Sequence, residues 1–133
     1  MTPDIPTIFN WVKARSECSL QRIFLCLAEV IDSDVKVFNE LPSVDASISA
    51  NRPTEEKIVV VKTWKYGGTA RSVVFDLTDR GIAVKSGSNG KPLFLAKPFL
   101  LQSGECKLEI EGVAEPLELW QVSRKGLEEL FFS

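Results

Sequence analysis

The run Ile58-Val59-Val60-Val61-Lys62-Thr63-Trp64-Lys65-Tyr66, then Gly67-Gly68, then Thr69-Ala70-Arg71-Ser72-Val73-Val74-Phe75-Asp76-Leu77 decides the fold class. Two β-branched and aromatic stretches flank a glycine pair, the pattern of antiparallel strands joined by a two-residue turn. Folding the run about Gly67-Gly68 sets Trp64 opposite Arg71, Val60 opposite Phe75 and Ile58 opposite Leu77. One pleated face then carries Ile58, Val60, Lys62, Trp64 and Tyr66, because successive side chains alternate between faces.

Downstream the same texture continues. Asp79-Arg80-Gly81 turns the chain into Ile82-Ala83-Val84, and Ser86-Gly87-Ser88-Asn89-Gly90 turns it again into Leu93-Phe94-Leu95. Pro92 and Pro98 place this portion at a sheet edge or at an interruption, since proline cannot donate to a ladder. Lys107-Leu108-Glu109-Ile110-Glu111 alternates strictly, and after Gly112 to Glu115 a further strand, Leu117-Glu118-Leu119-Trp120, follows. Ser123 then reads as the cap of a short helix whose Leu127, Leu130 and Phe131 share a face.

Upstream the period changes to that of a helix. Ile5, Ile8, Phe9 and Val12 fall on one face of a short helix with Pro6 in its first turn. After a break at Ser16 to Ser19, Leu20, Ile23, Phe24, Leu27, Ile31, Asp34 or Val35, and Phe38 keep the period for a longer helix. Asp32-Ser33-Asp34 can bend or end that helix, and Pro42 ends it at the latest. The resulting expectation is a single α+β domain with a helical segment over residues 1–41 and a connection over 42–56. An antiparallel meander of five to seven strands follows over 57–122, then a C-terminal helix over 123–133.

The composition narrows the chemistry. The chain of 133 residues contains no histidine, which removes the commonest general base and the commonest metal ligand. Three cysteines, Cys18, Cys26 and Cys106, form an odd and scattered set, read as structural residues rather than reactive thiols. A chain this long can form a sizeable core without disulfides or metals. No run is apolar enough to span a bilayer and the N-terminus lacks the pattern of a signal peptide. These features point to a cytoplasmic location without a membrane. No catalytic residue, cofactor or metal ligand set is expected. Asp32 with Asp34, and Asp76 with Asp79, are close in sequence, but such spacings need not converge, so a metal-dependent enzyme, the third functional reading, would have to draw its acidic site from distant residues. Gly87-Ser88-Asn89-Gly90-Lys91 lacks the spacing of a phosphate cradle and reads as a hairpin loop.

The net charge of -2 conceals an uneven division: -3 over residues 1–50, +5 over 51–97 and -4 over 98–133. The basic excess meets aromatic residues at the tip of the first hairpin, where Lys62, Trp64, Lys65, Tyr66 and Arg71 form the candidate interaction patch. Trp, Tyr and Arg dominate protein interfaces, so a protein partner is the leading expectation: a small adaptor, a chaperone-like protein or an inhibitor. The alternative partner is single-stranded nucleic acid, with bases stacked on the rings and cations on the phosphates. A cross-strand cation–π contact between Trp64 and Arg71 would instead be purely structural. Beyond one stripe, the longer helix also offers Leu25, Cys26 and Val30, so either it is buried on several sides within the domain or it pairs with a second copy in a homodimer through the N-terminal helices.

Overall fold

Ser19 opens the long helix by accepting a hydrogen bond from the Arg22 N–H at 3.3 Å. The computed structural model describes residues 8–42 and 44–133. The helices are α1 (Trp11–Glu17), α2 (Leu20–Asn39) and α3 (Leu119–Phe132). The strands are β1 (Ala46–Thr54), β2 (Lys57–Trp64), β3 (Arg71–Thr78), β4 (Gly81–Ser86), β5 (Pro92–Leu100) and β6 (Cys106–Ile110). All six strands pair with their sequence neighbours in one antiparallel meander, so the α+β expectation holds. Among the described residues no helix is long and apolar enough to cross a membrane.

Both long helices lie on one face of the sheet. The stripe Ile23, Phe24, Leu27, Ala28, Ile31, Val35 and Phe38 of α2 is buried, and Asp32-Ser33-Asp34 neither bends nor ends it. From the sheet come Ile58, Val60, Val73, Phe75, Ile82, Val84, Ala96, Leu108 and Ile110, the inward half of each alternation. Gly126 lets α3 close on that layer. A Cβ at this position would sit 2.8 Å from Phe75 Cζ and 3.4 Å from Val84 Cγ1, so the helix backbone rests directly on the sheet.

Five sequence readings need correction. The connection read over 42–56 contains an edge strand, β1. Its only fully buried residue is Ile48, while Ser47, Ser49 and Asn51 point to water, so its alternation lacks the large apolar residues that mark a strand. The outward N–H and C=O of Ile48 are taken by the Asn39 side chain at 3.0 and 2.8 Å, which ties the end of α2 to the sheet edge.

The first hairpin has no two-residue turn. β2 and β3 pair up to Lys62↔Arg71, with Val60 opposite Val73 and Ile58 opposite Phe75, a slip of two from the expected register. An even slip keeps every side chain on its face, so the core prediction survives. Residues 63–70 then form a longer tip. The slip sets Lys62 and Arg71 directly opposite one another, where both reach the end of α3.

The short N-terminal helix buries nothing. Ile8, Phe9 and Val12 are exposed, and α1 starts at Trp11 with Asn10 accepting from the Lys13 N–H. Ile5 and Pro6 lie outside the described residues. At the other end, Leu117 makes only an isolated bridge to Leu108, and α3 begins four residues ahead of Ser123. Gln121 Oε1 accepts from the Glu118 N–H at 2.8 Å, half of a capping box. Ser123 is buried inside the helix and donates to Asp34 Oδ2 of α2 at 2.7 Å.

The prolines of β5 follow their rule in an unexpected way. β5 lies between β4 and β6, yet each neighbour covers only half of it. Pro98 faces Leu108, whose own N–H and C=O turn to Leu117, so the missing donor of Pro98 points to the side that β4 has vacated.

Cys18 and Cys106 form a disulfide across 88 residues, with Cα atoms 5.5 Å apart, overturning the reading of separate structural cysteines. The bond joins the α1–α2 junction to the first residue of β6. Spacing in the sequence carries no signal for such a pair, which only the fold brings together. Cys26 is free and half-buried.

Candidate functional site

The hairpin tip is built around the C-terminus of α3. Lys62 points to the helix-covered face and is buried. Its Nζ donates to the Phe131 and Ser133 carbonyl oxygens at 3.1 and 3.2 Å and stands 4.3 Å from the centre of the Trp64 ring. A cation at a helix C-terminus meets carbonyls without intrahelical partners and the negative end of the macrodipole. Arg71 Nη1 donates to Ser133 Oγ at 2.7 Å, so the expected Trp64–Arg71 contact is replaced by Lys62 on the ring and Arg71 on the helix.

Two of the five patch residues are thus engaged in holding the fold, while Trp64, Lys65 and Tyr66 remain at the surface. Tyr66 is 81% exposed and Trp64 is 37% exposed. Lys65 Nζ lies 5.9 Å from the Tyr66 ring, at the outer limit of a cation–π contact.

Burial, and secondarily the charge of Arg71, pull the Lys62 ammonium below its ordinary pKa of 10.5. The depressed value means that the folded state holds this proton less tightly than the unfolded chain does. Stability from this group therefore rises with pH between the folded value and 10.5. Urea unfolding of the wild type and of Lys62→Met across this alkaline window is expected to show the difference moving steadily in favour of the wild type. A flat difference would mean that the ammonium is not desolvated.

A second surface was not visible in the sequence. The C-terminal half of α2 and the length of α3 enclose a trough of about 360 Å³. Phe38, Leu127 and Phe131 form its floor and belong to the core. Its walls are Val37, Leu41, Trp120 and Phe132, which are 58%, 40%, 52% and 72% exposed. The Phe38 ring packs at 5.0 Å from Phe131 and 5.8 Å from Phe132, so floor and wall are continuous. The Trp120 indole N–H donates to Glu118 Oε2 at 2.7 Å, and Glu118 is held by Lys107 at 2.8 Å, which fixes the ring while leaving its face open. That ion pair raises the Lys107 pKa and lowers that of Glu118. The missed signal was the position of the helix start. With α3 opening at Leu119, Trp120 and Phe132 fall on one side of it; as a strand ending at Trp120 they do not.

The carboxylate pairs do not converge. Asp34 accepts from Ser123, and Asp76 bridges Lys57 and Lys85 at 3.7 and 3.2 Å on the open face of the sheet. Among the described residues no group of three or more His, Cys, Asp or Glu side chains is placed to hold a metal ion. The open face carries Val59, Val61, Val74, Ala83 and Leu95 beside this charge cluster. Residues 87–91 join β4 to β5 as the expected hairpin loop.

Comparison with protein-family models, with curated protein sequences and with solved structures returns no match to this chain.

Proposed function

We propose that this protein is a non-enzymatic protein-interaction module whose main contact surface is the α2–α3 trough. The observation that carries the reading is the set Val37, Leu41, Trp120 and Phe132, standing exposed around an apolar floor. Contiguous apolar surface rimmed by polar side chains is characteristic of protein-binding sites. Trp and Phe anchors in a concavity supply most of the affinity of such sites. A photo-activatable residue in place of Leu41, used in cells that express the protein, tests this directly. Covalent protein adducts are expected, and Trp120→Ala should weaken the recovered interaction by about 10-fold or more. An absence of adducts at Leu41 would overturn the reading.

The hairpin tip provides a second contact surface. Trp64, Lys65 and Tyr66 stand on a platform anchored by Lys62 and Arg71. Tyr66→Ala is expected to weaken partner binding without changing stability, whereas Arg71→Ala should loosen the end of α3. Calorimetric titration and thermal melting together separate the two roles. The nucleic-acid alternative draws on the same tip, but two of its cations are already engaged by α3. Titration of labelled single-stranded DNA and RNA at low salt, where counterion release favours binding most, is accordingly expected to show no complex.

The disulfide bears on location. Such bonds persist in oxidising compartments and are rare in the cytoplasm. A cytoplasmic residence, which the N-terminal pattern and the lack of a bilayer-spanning run suggested, would keep Cys18 and Cys106 as thiols. The bonded form suits an oxidising environment instead.

A further inference from the structure

The α2–α3 trough has the pattern of a surface that recognises its own copy. Trp120, Arg124, Glu128 and Phe132 are spaced by four residues and form one exposed row along α3. Read from either end, the row runs aromatic, charged, charged, aromatic, with opposite signs at the two inner positions. Laid antiparallel against itself about Gly126, it brings Trp120 onto the partner's Phe132 and Arg124 onto the partner's Glu128. The two-fold axis repeats both contacts, as an isologous interface requires.

We infer that the occupant of the trough is a second copy of this chain, paired through α3 in a two-fold symmetric dimer. The inference rests on the interaction reading above and supplies its partner. Three observations support it.

The first is charge. Within one chain the Arg124 Nε and Nη2 atoms already meet the Glu128 carboxylate at 3.0 and 3.4 Å, so the pair is ordered before any partner arrives. Two such pairs in antiparallel register form a ring of four charges with alternating sign.

The second is shape. A row of residues four apart is inclined by about 26° to the helix axis, so two copies meeting along it cross at roughly 50°, the commonest helix-packing geometry. The third is the place where each aromatic lands. Phe38 binds Phe132 to the end of α2, so the partner's Trp120 arrives beside Phe132, Val37 and Leu41, the most exposed apolar part of the trough. Of the two N-terminal helices only α2 then takes part, as the far wall. Leu25, which suggested pairing through those helices, lies outside this surface.

Charge reversal tests the register. Sedimentation at low salt should give the wild type a mass twice the 14.8 kDa of the chain. R124E and E128R should each weaken association by about 10-fold or more, since like charges then face each other across the axis. R124E/E128R restores opposite signs and should recover wild-type association. An equimolar mixture of R124E and E128R should form a heterodimer although neither pairs with itself. Both positions are at the surface, and the double variant and the mixture guard against loss of folding as the cause.

A wild type that stays single at several hundred micromolar, or a double variant that remains as weak as the singles, overturns the inference. The photo-adducts at Leu41 separate its failure from that of the underlying reading. Adducts between two copies support both. Adducts only with a different protein overturn the second copy and leave the interaction reading standing, and no adducts at all overturn both.

Discussion

Reduction of the Cys18–Cys106 bond is expected to remove about 2–4 kcal/mol of stability and to lower the Tm by roughly 10 °C. The bond spans 88 residues, including all of α2 and the first five strands. Cross-links over long loops restrict the unfolded chain most, and the chain-entropy relation sets the upper end of the effect at about 4–5 kcal/mol. Two further signs should accompany the loss. The denaturant m-value should rise, because the unfolded chain is freed to expose more surface. Amide exchange in residues 8–17 should accelerate more than elsewhere. α1 buries no residue of its own and is held to the domain by Cys18 and by the Phe9 ring lying over Gly104. Cys106→Ser should reproduce both signs without reductant. Equal melting of the oxidised and reduced protein would show that the bond does not form.

The second large effect is at Gly126, where the usual sign of a substitution reverses. Glycine within a helix is ordinarily destabilising, and replacing it by alanine gains up to about 1 kcal/mol. Here the added Cβ would stand 2.8 Å from Phe75 Cζ, inside any contact that two carbons tolerate. Phe75 and Val84 are both fully buried, so neither can move aside without disturbing the centre of the core. Gly126→Ala is therefore expected to cost about 1–2 kcal/mol, and Gly126→Leu about 3 kcal/mol or more, as overpacking does. Trimming the ring identifies the cause. In Gly126→Ala/Phe75→Leu the alanine should be tolerated better than in the wild-type background, a coupling that a double-mutant cycle reads directly. A stabilising Gly126→Ala would show that α3 does not lie this close to the sheet.

The legible parts of the chain were those where one period ran long enough against one partner. α2 buries the residues its spacing indicated, and the strands from β2 onward appear in order. β1 was not legible because it is an edge strand: α2 covers Ile48 and leaves its other face to water, so small polar residues suffice. The start of α3 was obscured because Leu117-Glu118-Leu119 alternates like a strand, while the interaction that sets the helix going comes from Glu118 and Gln121.

The candidate patch was legible in composition, but the contacts by which Lys62 and Arg71 hold the end of α3 were not. Lys62 lies on the inward face of its strand, as alternation implied. What alternation cannot supply is that a helix starting more than fifty residues later ends over that lysine. The trough depends wholly on that same distant packing, which explains why no local pattern announced it.

The small amide of Asn39 has a consequence out of proportion to its size. An unpaired strand edge is a template on which further chains can add, and β1 is the long, uncharged edge of this sheet up to Arg52. Asn39 occupies the donor and acceptor at Ile48 in the manner of a one-residue strand, at the middle of that edge. An incoming strand finds its ladder interrupted there by a side chain rooted in a folded helix. Growth into fibrils by edge addition is blocked at the point where the sheet would otherwise be most open to it.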